Sequence, residues 1–324
     1  MPAIPSGVRG ANITGWGIAL PPEILTNHDL ESMFETDHDW IVDRTGIHER
    51  HVGGNTTDLS VDAGRKALEM SGVDLSTIDA VVLATTTPDR TVPASAPGVA
   101  DQLGLRCGAF DVNAACSGFM YGLVQAHGMI AMGARNVLCI GTDSLSRITD
   151  WTDRNTAILF ADGAGAVVLE HTDGPGQLLG WDLDADGSAE RFLYAEVGGF
   201  IQMEGKEVFR RAVRIMVDSA QKSLAHAGVG IDDITLVVPH QANIRIISAA
   251  CDRLGVPMDR VSVVLEHTGN TSSGSIPLAL CDALDRGRVA EGDLVLLVGF
   301  GAGMTAASSV LRWGPMPVDR STTG

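Results

Sequence analysis

The sequence predicts an α/β fold of two halves related by a pseudo-twofold axis, each half a sheet covered by helices. One basis is a repeat. The run beginning AGRKALEM at Ala63 aligns with the run beginning SAQKSLAH at Ser219, pairing Lys66 with Lys222, Leu68 with Leu224, Gly72 with Gly228, Val73 with Val229, Ile78 with Ile234 and Val81-Val82 with Val237-Val238. A second is a pair of late apolar strands ending in glycine, Ala134–Gly141 and Gly292–Gly299. A third is that Cys116-Ser-Gly118 falls over Ser272-Ser-Gly274, so two helix N-termini occupy equivalent places.

In chain order, the residues from Ala63 read as an amphipathic helix, a glycine stop at Gly72, a short acidic turn and an apolar strand through Val81-Val82. Phe110–Tyr121 then runs from a strand into a long helix, with small residues crowding the junction. Residues 112–134 hold no Asp, Glu, Lys or Arg and are long enough to span a bilayer. Their Asn113, Ser117, Gln125, His127 and four glycines suit a helix buried in protein instead. Turn residues in HTDGPGQLLGW, 171–181, divide the chain into halves 1–172 and 173–324. No long polar linker separates them, so the halves share an interface. The second half repeats helix, glycine, turn and strand. Pro239 ends the strand Leu236–Pro239, and Gly299-Phe-Gly-Ala-Gly303 reads as a glycine-rich turn after the final strand.

Composition narrows the function. With 324 residues, 45% hydrophobic content and no low-complexity period, the chain is an ordinary globular α/β protein. A net charge of −17 argues against nucleic-acid binding. The five cysteines are odd in number and widely spaced, which suits a reducing compartment, and no Cys/His cluster points to a metal. The N-terminal MPAIPSGVRG lacks the pattern of a secretory leader, so a cytoplasmic protein away from membranes is expected.

Three residues stand out chemically. Cys116 lies where the strand turns into the helix, and a helix N-terminus favours thiolate through its partial positive charge and free N–H groups; a buried inert cysteine is the plainer reading. His240 ends an apolar strand, where α/β sheets place ligand sites, although a core or capping histidine fits equally. Asn270 sits in His267-Thr-Gly-Asn-Thr-Ser-Ser-Gly274 before an apolar helix, where capping is the plain alternative. Cys116 comes from one half, and His240 and Asn270 from the other. The Cys116 and Asn270 turns occupy mirrored positions, so the pseudo-twofold axis brings the three together. The turn at Gly299–Gly303 can aim backbone N–H groups at an anion. As a dinucleotide fingerprint it fails, because Met304 replaces the third glycine.

The segments AACSGF, VPHQAN, GNTSSGSIPLAL, GFGAG, DRTGIHERH (43–51) and FADGAGAVVLE (160–170) together resemble the β-ketoacyl-acyl carrier protein synthase III family of the thiolase-like superfamily, in the family's order and across essentially the whole chain. The resemblance implies a five-layered αβαβα thiolase-like fold, a homodimer and a catalytic Cys116-His240-Asn270 set. It implies decarboxylative Claisen condensation of an acyl-CoA primer with malonyl-acyl carrier protein, the first step of fatty-acid synthesis, with no cofactor and no metal. The backbone N–H groups of Cys116 and Ala302 would hold the oxyanion. Trp40 and Arg154 would sandwich the adenine, and Arg44, Gly205, Phe209, Ala242 and Asn243 would line the pantetheine route. Lys206, Arg210, Arg211 and Arg214 cluster on one predicted helix, with Arg245 near them; a solvated face is the ordinary meaning of such a run, and docking of an acidic carrier protein the functional one. In acetyl-specific relatives a phenylalanine reaches across the dimer to close the partner's acyl pocket; Val92 stands here, implying a deeper pocket. The alternatives are a pathway-specific polyketide starter-unit synthase or acyltransferase of the same family, a papain-like cysteine hydrolase, and a catalytically silent binding subunit.

Overall fold

A computed structural model describes residues 7–314 of the protein. Residues 1–6, part of the run read above for a leader, lie outside the described residues. The first sheet contains β1 (Gly10–Ala19), β2 (Ile78–Ala84), β3 (Gly108–Val112), β4 (Asn136–Ser144) and β5 (Asp162–Thr172), in the spatial order β1-β5-β4-β2-β3. The second contains β6 (Leu178–Ala185), β7 (Leu236–Pro239), β8 (Leu294–Gly301) and β9 (Thr305–Arg312), in the order β7-β8-β9-β6. Pairing matches strand for strand. β2 runs parallel to β4 as β7 does to β8, and β4-β5-β1 and β8-β9-β6 are both antiparallel. The counterpart of β3 shrinks to a single parallel bridge between Val237 and Val261.

Alternation along the strands explains the layering. On β2, Val82 faces a central core with Phe119, Leu123 and Ile276, while Val81 and Leu83 face an outer core with Leu59, Ala67 and Val99. On β7, Leu236 and Val238 face the central core, while Val237 faces a third core with Met216, Ala220 and Ile247. A strand buried on both faces reads as a continuous apolar run, as these do. Helices α1 (Thr56–Ser71) and α2 (Ser95–Gln102) cover the first sheet from outside. Helices α3 (Gly118–Ala131) and α6 (Ser275–Asp285) fill the space between the sheets, and α4 (Gly205–Ala227) with α5 (Ile244–Leu254) closes the other side. The result is the thiolase-like five-layered αβαβα arrangement. The charge-free run near α3 is packed between two sheets, and among the described residues no helix is long and apolar enough to cross a membrane.

Two readings of the sequence shift in detail. Gly72 and Gly228 cap α1 and α4 in the left-handed region, φ 62° and 70°, at the expected spacing. At the helix N-termini, however, Ala115 (φ 49°) and Ser272 (φ 50°) are the matching left-handed residues, and the helices start at Gly118 and Ser275. Cys116 therefore matches Ser273, one residue beyond the sequence alignment, because the second half inserts a residue before this turn. The glycine-rich turn also follows the penultimate strand: β9 comes after it, pairing back from Gly301 to Thr305.

Candidate active site

Cys116 sits in a tight turn, Ala115–Ser117, between β3 and α3. The turn is pinned by the opposite half. Thr305 Oγ1 donates to the Ala114 carbonyl at 2.9 Å, and a Cβ on Gly301 would fall 2.7 Å from the Cys116 nitrogen. Only glycine permits that approach, which brings the β8–β9 turn with Ala302 beside the Cys116 peptide. Cys116, His240, Asn270 and Phe300 line a single cavity of about 680 Å³.

His240 leaves the end of β7 with its N–H on the Val298 carbonyl at 2.8 Å. Its ring lies edge-to-face with Phe300, centroids 5.4 Å apart, and its Nδ1 is 2.6 Å from the buried Ser275 Oγ. Burial pushes its pKa down to about 3, so the imidazole is neutral. Asn270 is held through its backbone, donating to the Leu159 carbonyl and accepting from the Ala161 N–H, both at 2.9 Å. Its side-chain Oδ1 accepts from the Ser272 N–H at 3.0 Å. The carboxamide orientation is thereby fixed, with its NH₂ left as a donor.

The thiol departs from expectation. Burial, with the Asp143 charge adding to it, pushes the Cys116 pKa up to about 12, outweighing the opposing pull of the Ser272 hydroxyl. The shift favours the neutral thiol, and the short turn preceding the helix does not reverse it. Asp143, fully buried at the end of β4, ties the two halves together behind the site. One oxygen accepts from the Thr86 N–H at 2.7 Å and from the hydroxyls of Thr85, Thr86 and Thr87; the other accepts from the Ser273 N–H and hydroxyl at 3.0 and 2.7 Å. Sequence reasoning missed Asp143, and it quoted Ser272, Ser273, Ser275 and Gly301 within their motifs without giving any of them a role of its own. A carboxylate ending the apolar run of β4 was the available signal for Asp143.

Other expected residues fall into place unevenly. Trp40, Arg44, Gly205, Phe209, Ala242 and Asn243 all line the cavity. Asn243 caps α5 and donates to the Arg44 carbonyl at 2.9 Å. Arg154 does not line it; its guanidinium lies 4.7 Å from the Trp40 ring centroid, with Arg44 at 4.5 Å. A base sandwiched between Trp40 and Arg154 needs about 7 Å, twice the usual contact separation, so the pair must part to admit one. Lys206 and Arg245 also line the cavity. Arg210 donates to Glu207 at 2.6 Å, and Arg214 is exposed. Arg211 lies on Phe192 at 4.8 Å, near Asp186 and Glu207, and offers solvent the least charge of the cluster. Val92 is 82% exposed and does not line this chain's own cavity. Among the described residues no group of three His, Cys, Asp or Glu is placed to hold a metal ion.

Known proteins share this sequence and this fold. Residues 110–187 match the family described as 3-Oxoacyl-[acyl-carrier-protein (ACP)] synthase III, and residues 224–313 match its C-terminal counterpart. The beta-ketoacyl-[acyl-carrier-protein] synthase III of Roseiflexus castenholzii is 49% identical, covering 94% of this chain and 98% of that protein. The crystal structure of 3-oxoacyl-[acyl-carrier-protein] synthase III from Aquifex aeolicus superposes with a TM-score of 0.92 at 42% identity, over 94% of this chain and all of that one. The priming β-ketosynthase of the R1128 polyketide pathway superposes with a TM-score of 0.90 at 35% identity, over 98% of this chain and 100% of its own. These likenesses leave no place for a papain-like hydrolase. With its duplicated sheets and with relatives matching it over nearly their whole length, the chain belongs to the β-ketoacyl-acyl carrier protein synthase III family of acyl-transferring condensing enzymes.

Proposed function

We propose that this protein primes fatty-acid synthesis by loading an acyl group from coenzyme A onto Cys116 and condensing it with malonyl-acyl carrier protein. The observation that carries this reading is the single cavity lined by Cys116 from one half and by His240 and Asn270 from the other. In the first half-reaction the Cys116 sulfur bonds to the acyl carbon as the carbon–sulfur bond to coenzyme A breaks. The thiol proton leaves and the departing thiolate gains one, so the exchange is proton-neutral. The N–H groups of Cys116 and Ala302 hold the oxyanion.

In the second half-reaction malonyl thioester loses CO₂, and the electron pair moves onto the thioester oxygen as an enolate. The His240 imidazole and the Asn270 NH₂ donate hydrogen bonds to that oxygen. The enolate carbon attacks the acyl group, the Cys116 thiolate departs, and a β-ketoacyl product leaves on the carrier protein. These steps use no cofactor. Trp40 and Arg154 receive the adenine of coenzyme A, and Arg44, Gly205, Phe209, Ala242 and Asn243 line the route of its pantetheine. Lys206, Arg210, Arg214 and Arg245 supply positive charge for an acidic carrier protein, with Arg211 at the margin. We take the working unit to be a homodimer, with halves 1–172 and 173–324, in a reducing cytoplasm that keeps its five free cysteines as thiols.

A second reading is a pathway-specific starter-unit synthase, favoured by the likeness to the R1128 enzyme. It keeps the same residues and changes only the carrier protein accepted. The test of the shared chemistry is to replace His240 and Asn270 singly with alanine and follow both half-reactions. Acylation from acyl-CoA should persist while decarboxylation falls about 10²- to 10³-fold for each donor removed. Normal decarboxylation in both variants would refute the mechanism, and a native protein that never accepts an acyl group would mark a silent subunit.

A further inference from the structure

From the hydrogen bonding around His240 we infer that Ser275 is a positioning residue, which fixes His240 as the tautomer bearing its proton on Nε2 and so makes it a hydrogen-bond donor to the enolate rather than the base for Cys116. The inference rests on the condensing role proposed above. Ser275 is the first residue of α6, and its hydroxyl is buried. The Gln241 N–H points at Ser275 Oγ from 3.4 Å, so the oxygen accepts there. The other neighbour of this hydroxyl is His240 Nδ1 at 2.6 Å.

A hydroxyl carries one proton, and a buried one without an acceptor is costly. Among the described residues Nδ1 is the acceptor within hydrogen-bond reach. A proton on Nδ1 would therefore leave the Ser275 O–H unpaired. The buried ring is neutral and holds one N–H only. With Nδ1 accepting from Ser275, that N–H is on Nε2. An Nε2–H cannot take up the Cys116 proton, but it can donate to an oxygen that gains charge. The Gln241 side chain holds the loop in place, since its Nε2 donates to the Pro239 carbonyl at 2.7 Å and its Oε1 accepts from the Val264 N–H at 2.9 Å.

The test compares native protein with Ser275→Ala and Ser275→Thr, measuring acyl-Cys116 formation by intact mass and malonyl-thioester decarboxylation separately. Ser275→Ala should lower decarboxylation about 10- to 100-fold, as expected for an unpaired buried group that frees the ring to change tautomer. Acylation should stay within about threefold of native, and Ser275→Thr should restore most of the decarboxylation. An acylation loss equal to or greater than the decarboxylation loss would overturn the inference, because it would identify His240 as the base. Native-like decarboxylation in Ser275→Ala would overturn it too, while leaving the condensing role standing if the native protein condenses. Nitrogen-15 NMR of histidine-labelled native protein gives a readout independent of variant folding. The resonances absent from His240→Asn should show a protonated Nε2, and a protonated Nδ1 would refute the assignment.

Discussion

His127 and His240 are both buried as neutral imidazoles, with pKa values pushed down by burial to about 4 and about 3 from an ordinary 6.5. Below pH 6.5 the unfolded chain binds a proton at each that the folded chain refuses. Stability from these groups is therefore complete above 6.5 and falls with acidification, by about 1.4 kcal/mol per pH unit for each. By pH 5 the pair should cost about 4 kcal/mol, before the carboxylates with lowered pKa values begin to titrate. Replacing His127 with leucine should halve that slope in denaturation measured from pH 7 to 5, and an unchanged slope would show that His127 is protonated in the fold. At this scale Cys116, His240 and Asn270 were legible because each sits in a small-residue turn at the end of a strand or the start of a helix. Their partners were not. Ser275 matters through one hydroxyl proton, and Gly301 through the 2.7 Å that separates an imagined Cβ from the Cys116 nitrogen.

The element that most invites a test is α4, whose first three turns carry Lys206, Arg210, Arg211 and Arg214. Arg210 and Arg214 are exposed, whereas Arg211 lies against Phe192. Reversing charge at Arg210 and Arg214 should raise KM for malonyl-acyl carrier protein about tenfold, the sum expected of a few exposed charge contacts. Acylation by small acyl-CoA should not change, and the difference should shrink with salt, because exposed charges are screened over about 8 to 10 Å. Equal losses with both substrates would place the defect in the cavity. The helix itself was visible in the sequence from its period and its Gly228 stop. Which of its arginines are spent on packing was not, since that depends on Phe192 and Asp186 from a segment with no periodic signal. The one-residue slip between Cys116 and Ser273 has a similar cause: identical Ser-Gly pairs align by letter, while backbone φ fixes the true correspondence at Ala115 and Ser272.

At the scale of the whole molecule, the duplicated architecture brings Cys116 from one half into one cavity with His240 and Asn270 from the other, and Asp143 bonds both halves behind them. The repeat made this legible, since two equivalent helix starts imply an axis between them; the reduction of one edge strand to the Val237–Val261 bridge left no trace in the pattern. Val92, 82% exposed on this chain, belongs to the dimeric account. If it borders the partner's acyl pocket, each added CH₂ of primer gains about 0.8 kcal/mol until overpacking intervenes. Primers longer than acetyl should then be preferred, and Val92→Phe should shift competition assays toward acetyl-CoA; an unchanged ranking would remove Val92 from the pocket. The central claim is that Cys116 carries the acyl group between the two half-reactions. Intact-mass analysis after incubation with acyl-CoA tests it most directly: one acyl group should add to the native protein and none to Cys116→Ala, whereas an adduct that survives in Cys116→Ala, or that maps to another cysteine, would contradict it.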